Sequence, residues 1–271
     1  MKYIVCYSGG HSSALVAIES VRKYGKENVI LLNHNISSEV EHEDIKRFKN
    51  EIAQYLGLKI TYANMKDCEE LTPVRLALKI GAFQVNVGQA LCTYNLKTKP
   101  FYDWLKENYP ADIENINQDI KILYGFDKEE IHRVTRRTGI LAIQGYLCEF
   151  PLLWENRTIY NTEEIGIDRP RTYKIFHHAN CIGCLKAGRQ HWYVVYCLRY
   201  DIFQEAVKAE NELGHSIIKD IYLEELIPKF EEMKSKQICP NDIENQASFW
   251  ARVNSTLPEQ TTFMPCDCAV L

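Results

Sequence analysis

The sequence predicts an α/β fold with a mainly parallel sheet covered by helices on both faces, and three observations carry that expectation. Strand-length apolar runs alternate with helix-length runs through the first sixty residues. The links between them are short, which favours right-handed strand–helix–strand crossovers. The composition is that of an ordinary globular chain, with 46% hydrophobic and 25% charged residues in 271, enough to bury a sizeable core. Residues 2–7 (KYIVCY) read as a buried strand, and residues 14–24 as a helix after the turn Ser8-Gly9-Gly10-His11-Ser12-Ser13. Residues 28–33 (NVILLN) form a second strand. Residues 39–56 form an amphipathic helix, with Ile45, Phe48, Ile52 and Leu56 at helical spacing and Gly57 placed to stop it. Residues 59–62 are a third strand. Further on, residues 93–108 read as a helix despite Pro100, residues 119–124 as a strand and residues 127–137 as a helix opened by Asp127, Glu129 and Glu130. Residues 147–170 are turn-rich, residues 186–213 carry one long helical pattern, and the chain after about Pro240 has little periodicity.

Charge and apolar patterning exclude several classes. The formal net charge is −4, against a generally basic nucleic-acid coat while leaving a local patch open. No apolar run approaches the roughly 18 residues of a membrane span, and the first residues are too weakly apolar for a signal peptide. The expectation is a cytoplasmic protein with no membrane association. In that setting ten cysteines serve as buried packing groups, metal ligands or redox groups rather than as a disulfide frame.

The turn after the first strand is the strongest local signal. Ligands of parallel sheets bind at the carboxyl ends of strands. Two glycines let backbone approach a ligand closely. The helix N-terminus behind them offers free N–H groups and a partial positive charge, a site suited to phosphate or pyrophosphate. Neither G-x-x-x-x-G-K-[ST] nor G-x-G-x-x-G is present, so the two commonest glycine loops are excluded.

Ser8-Gly9-Gly10-x-x-Ser13 resembles the PP-loop signature of the adenine-nucleotide α-hydrolase-like superfamily. Four later segments resemble its phosphoadenosine-phosphosulfate (PAPS) reductase-like branch. They are Leu91-Cys92 through Leu96-Lys97-Thr98-Lys99-Pro100, Gly125 through Glu129 to Arg133, Pro151-Leu152-Leu153-Trp154, and Ile182-Gly183-Cys184. The resemblance implies a Rossmann-like α/β/α sandwich, with residues 1–185 as the nucleotide-binding domain. Residues 186–271 are then a helical region packed on it, with an irregular cysteine-containing tail. It further implies that Ser8, Gly9, Gly10, His11, Ser12 and Ser13 hold phosphates, and that Leu32, Asn33 and His34 border the adenine. Lys97 and Arg133 would meet phosphate or sulfate charge as the catalytic cations. The ligand is ATP or a related adenine nucleotide with Mg²⁺. Two departures stand out: His11-Ser12 occupies the place of a frequent Lys-Asp pair, and the reductases' C-terminal Glu-Cys-Gly-[Leu/Ile]-His motif is missing.

Cys181-x-x-Cys184 brings two sulfurs to one side of a turn, half of a metal site. Cys266 and Cys268 would complete it if the tail folds back, and Cys92 is a further thiol. Such a set suits a [4Fe–4S] cluster or Zn²⁺, and His177, His178 and His191 are spare nitrogens close in sequence that keep Zn²⁺ in play. Cys6, Cys148 and Cys197 read as packing cysteines.

The expected activity is adenylation of a substrate with pyrophosphate release, followed by sulfur transfer to a nucleic-acid or small-molecule acceptor. Arg133, Arg136 and Arg137 are the candidate phosphate-facing cluster. The alternatives are a sulfonucleotide reductase with a C-terminal cysteine nucleophile, and a non-catalytic nucleotide sensor. A homodimer is compatible with either.

Overall fold

The computed structural model describes residues 1–66, 71–85, 89–176 and 178–257. Five strands, β1 (Lys2–Cys6), β2 (Val29–Asn33), β3 (Ile60–Tyr62), β6 (Asn117–Leu123) and β7 (Tyr146–Glu149), form one sheet in the order β3-β2-β1-β6-β7. Every pairing in it is parallel. Two short antiparallel strands, β4 (Gln84–Val85) and β5 (Gln89–Ala90), lie apart.

Alternation along β1 sets the layers. Val5 packs with α1 (His11–Tyr24) and α2 (Glu43–Leu56), through Leu15, Ile18, Phe48 and Ile52. Ile4 points the other way, into a core with Phe101 and Leu105 of α5 (Lys99–Asn108) and Leu141 of α6 (Ile131–Ile143). Successive side chains on a strand face opposite sides, so one pair of residues fixes an α/β/α sandwich. The third core joins Val74 and Ala77 of α3 (Pro73–Ile80) to α7 (Arg189–Leu198), α8 (Tyr200–Leu213), α9 (Leu223–Ser235) and α10 (Gln246–Thr256). The C-terminal region is therefore helical, with Trp192, Phe203, Phe230 and Phe249 all fully buried. Among the described residues no helix is long and apolar enough to cross a membrane.

Several elements depart from the expected pattern for identifiable reasons. The helix expected from residue 39 begins at Glu43, because the His42 ring nitrogen accepts from the Asp44 N–H at 3.1 Å and caps it there. The expected helix 93–108 is interrupted. After the single turn α4 (Leu91–Thr93), residues Tyr94–Thr98 form a π-helical turn, and the Lys99 N–H reaches the Tyr94 carbonyl five residues back. Pro100 has no N–H to return to the carbonyl four residues earlier, and the widened turn immediately before it accommodates that loss. The single helix expected over 186–213 is two, broken at Arg199, whose guanidinium donates to the Glu39 carbonyl at 3.0 Å and pairs with Asp201. The break lets α7 and α8 each turn a face into the same core. Strand β7 and helix α10 fall where the sequence shows turns and weak periodicity. α10 buries only Phe249 and Val253, too thin a stripe to register as amphipathic.

Candidate functional site

The chain order runs outward from β1 to β3, then crosses back to β6 and β7. The reversal between β1 and β6 opens a crevice at their carboxyl ends, the place where open parallel sheets bind ligands. A cavity of about 750 Å³ lies there. Its walls come from the chain following β1 (Ser8, Gly10 to Ser13), β2 (Leu32 to His34) and β6 (Tyr124 to Phe126). Lys97 and Arg133 reach it from the π turn and from α6.

Ten of the eleven nucleotide-facing or catalytic residues expected from the sequence line this cavity: Ser8, Gly10, His11, Ser12, Ser13, Leu32, Asn33, His34, Lys97 and Arg133, whereas Gly9 does not. Gly9 sits at φ +84° with its Cα against α2, where an added Cβ would lie 2.6 Å from Lys49 Cγ and 3.0 Å from Ile45 Cγ2. Its role is to let the loop pass over α2. Gly125 allows a second close approach, since a Cβ there would meet the Ser12 carbonyl carbon at 3.1 Å. These two contacts seat the loop between α2 and the end of β6.

At the start of α1 the Ser13 hydroxyl donates to the Gly10 carbonyl at 2.8 Å, and the Ser8 hydroxyl donates to Ser13 Oγ at 3.3 Å. No side chain of the N-cap residue, Gly10, serves the helix. The His11 N–H instead donates to the Tyr173 hydroxyl at 3.1 Å, so a phenol oxygen occupies the place the sequence assigns to an anion. Tyr173 carries no sequence signal: it is 162 residues away along the chain from the amide that it meets.

The loop itself carries no side-chain cation. Burial, with a smaller contribution from Arg169, pushes the His11 imidazole down to about 4, and its Nε2 faces the Thr162 N–H at 3.4 Å. Between that value and the ordinary 6.5 the unfolded chain binds the extra proton, so stability falls as pH drops through this window. His11→Gln is expected to flatten that fall, measured by urea unfolding at pH 6.5 and pH 4.5; an unchanged slope counts against a buried neutral His11.

Positive charge enters from elsewhere. Arg133 and Arg137, one helical turn apart on α6, both line the cavity, and Arg136 is not among the lining residues. Arg133 pairs with Glu130 and lies 4.2 Å over the Phe126 ring, and Arg137 lies 5.1 Å over the Tyr124 ring. Phe126, Tyr124 and Phe150 stack on one another at 5.5–6.4 Å. An arginine held on an aromatic face is pre-oriented for a planar or anionic ligand. Beside the cavity, Lys49 is buried and donates to both Glu41 carboxylate oxygens at 2.9 Å, with Asn33 Oδ1 at 3.5 Å. On the β2 side, the Leu32 carbonyl accepts from the Tyr7 N–H and the Asn33 carbonyl from the Ala63 N–H. Burial lowers the His34 imidazole, whose Nδ1 lies 2.5 Å from the Ala63 carbonyl oxygen.

Of the cysteines, Cys181 lines the cavity and Cys184 does not. Cys266 and Cys268, like His177, lie outside the described residues. Cys6, expected to be a packing residue, also reaches the cavity. Burial pushes the Cys92 thiol up to about 11 and raises Cys181 as well. Cys181 and Cys184 add to the effect on Cys92, so the three lie in one neighbourhood. Among the described residues, however, no three thiols bring their sulfurs within 4.8 Å of one another, and burial favours the protonated thiol over the thiolate that a cluster or zinc needs. The described thiols therefore do not form a three-cysteine site for a single metal ion. The Pro151–Trp154 segment also stays away from the cavity lining: Leu152 packs behind α1, and Trp154 lies edge-on to Tyr24.

Comparisons with family models, with curated proteins and with solved structures gave no match to this chain.

Proposed function

We propose that the chain is a PAPS reductase-like PP-loop enzyme that binds an adenine nucleotide, ATP, and adenylates a substrate with release of pyrophosphate, for sulfur transfer. The observation that carries this reading is the convergence of the Ser-Gly-Gly loop, the end of β2, Lys97 and Arg133 on one cavity of about 750 Å³ at the sheet's switch point. These segments are up to 125 residues apart, from Ser8 to Arg133. The size suits a nucleotide-class ligand.

In this reading the amides at the start of α1 and the Ser12 and Ser13 hydroxyls bind phosphate oxygens. Lys97 and Arg133 stabilise charge on the transferring group and the leaving pyrophosphate. A substrate oxygen attacks the α-phosphorus, the bond from that phosphorus to the pyrophosphate breaks, and a sulfur donor then displaces AMP. Mg²⁺, when bound, would neutralise the leaving pyrophosphate; the carboxylates lining the cavity, Glu41 and Glu130, are paired with Lys49 and Arg133. The protein's contribution is positioning and charge. The acceptor is a nucleic acid or a small molecule, with Arg137 beside Arg133 as the phosphate-facing pair.

A thermal-shift series with ATP, PAPS, adenosine phosphosulfate and AMP tests the reading, together with pyrophosphate release from ATP. ATP is expected to give the largest shift. Lys97→Gln and Arg133→Gln are each expected to weaken it by about tenfold or more, the scale of one lost charge-assisted hydrogen bond. A larger shift with PAPS points to the reductase, and ATP binding without pyrophosphate release under any acceptor points to a sensor. No shift with any of the four overturns the reading.

A further inference from the structure

Behind the wall of the nucleotide cavity, three metal-binding side chains from separate segments converge. His191 of α7 has a side chain only 3% exposed, and its Nδ1 lies 3.1 Å from Asp242 Oδ2. His178 Nε2 lies 3.6 Å from the same oxygen. One ligand atom from each residue falls within 4.8 Å of the other two. A tetrahedral centre with metal–ligand distances of about 2.0–2.2 Å holds its donors roughly 3.3–3.6 Å apart. Two of the three edges are already near that separation. The imidazole–imidazole edge can close by movement of His178, whose side chain is 25% exposed.

The backbone around this group is fixed by other contacts. The Asp242 N–H donates to the Ile175 carbonyl at 2.6 Å, and Phe176 and Asp242 form a parallel bridge. The buried Gln190 side chain donates to the carbonyls of Asn241 and Glu244, both at 3.0 Å. The loop bearing Asp242 is thus held to α7 and to the segment leading to His178. A cavity of about 510 Å³ opens directly on His178, His191 and Asp242, giving an entry path and room for a water as fourth ligand.

We propose that His178, His191 and Asp242 form a binding site for a divalent transition-metal ion of the zinc class. Two imidazoles and one carboxylate are borderline-hard donors that suit Zn²⁺ and disfavour Mg²⁺ and Ca²⁺, which take oxygen-rich sets. The three-donor set with an adjoining cavity matches an open zinc position. Binding at Nδ1 moves the His191 ring proton to Nε2, which gives up its contact with the Cys184 N–H. That contact is 3.4 Å long, at the edge of hydrogen-bond range, so little is lost. His178 lines both cavities. A metal there ties the segment that walls the nucleotide cavity to α7 and to the loop before α10. The proposal does not rest on the nucleotide reading.

The test uses the full chain stripped with a chelator, in the absence of nucleotide. Zn²⁺ is titrated in competition with a chromophoric chelator, and Co²⁺ is added in parallel for its visible spectrum. One equivalent of Zn²⁺ is expected. His178→Ala and Asp242→Asn are each expected to weaken it by about 100-fold or more, since even outer-shell losses cost 10–100-fold. The double variant Cys181→Ser/Cys184→Ser is expected to bind Zn²⁺ as the wild type does. The Co²⁺ form should show ligand-field bands and no thiolate charge-transfer band. If Asp242→Asn loses its native circular dichroism, His178→Ala, at the more exposed ring, carries the comparison. Absence of Zn²⁺ binding by the wild type overturns the proposal. So does binding that survives His178→Ala, or binding that is lost in the double cysteine variant.

Discussion

Gly9→Ala is expected to destabilise the protein by about 2–5 kcal/mol and to abolish any thermal shift with adenine nucleotides. Two costs combine. The residue sits at φ +84°, where a side chain brings strain of roughly 1–2 kcal/mol. Its Cβ would also lie 2.6–2.7 Å from two methylene carbons of Lys49, an overpacking that typically adds about 1–3 kcal/mol. Lys49 cannot swing aside cheaply, because both Glu41 oxygens hold its ammonium group. Gly10→Ala is the control. Its backbone has an ordinary φ of −83°, and its nearest contact is the Tyr173 hydroxyl at 3.3 Å, so its cost should stay below about 1 kcal/mol. Urea unfolding of the two variants checks the contrast. Equal stabilities would mean that the passage over α2 does not constrain the loop.

Glu41→Gln is expected to lose about 3–5 kcal/mol at neutral pH, the usual penalty for stranding one partner of a buried ion pair. Lys49 is 2% exposed. Lys46 Nζ, at 3.9 Å from the same carboxylate, is a second cation left facing it. The pH dependence carries a definite sign. Burial already holds the Lys49 ammonium below the ordinary lysine range, partly offset by Glu41, and removing the carboxylate lowers it further. Between the folded and unfolded values the unfolded chain binds the extra proton, so stability rises with pH there. That window is wider in the variant. The gap between variant and wild type should therefore narrow as pH climbs from 7 toward 10, followed by urea midpoints across the series. A gap that stays constant with pH would show that Lys49 is already neutral in the native protein.

The sandwich was readable because β1, β2, α1 and α2 have periodic apolar spacing and short links, and because Gly57, at φ +63°, stops α2 where expected. The cavity lining was readable for a related reason: a strand–turn–helix junction fixes where its own backbone groups point. What stayed hidden depends on contacts distant in sequence. Tyr173 meets the His11 amide across 162 residues, and Asp242 meets His191 across 51. Nothing in the local spacing marks either partner. The π turn was hidden too, since Pro100 signals trouble in a helix without saying how the backbone resolves it. The packing of Gly9 against α2 carries no sequence signal, because a glycine beside a ligand loop and a glycine under a packed helix look alike in one dimension. Cys266 and Cys268, the expected completion of the thiol set, lie outside the described residues.

The Tyr173 phenol on the first amide of α1 makes the protein its own competitor. An anion seated on that N–H would first have to displace a tethered phenol, so its apparent affinity would be the intrinsic affinity scaled by the vacated fraction. A small mobile ion with few other handholds would have little with which to offset the loss of that contact. A guest that also engages the guanidinium groups of α6 has other attachments with which to overcome it.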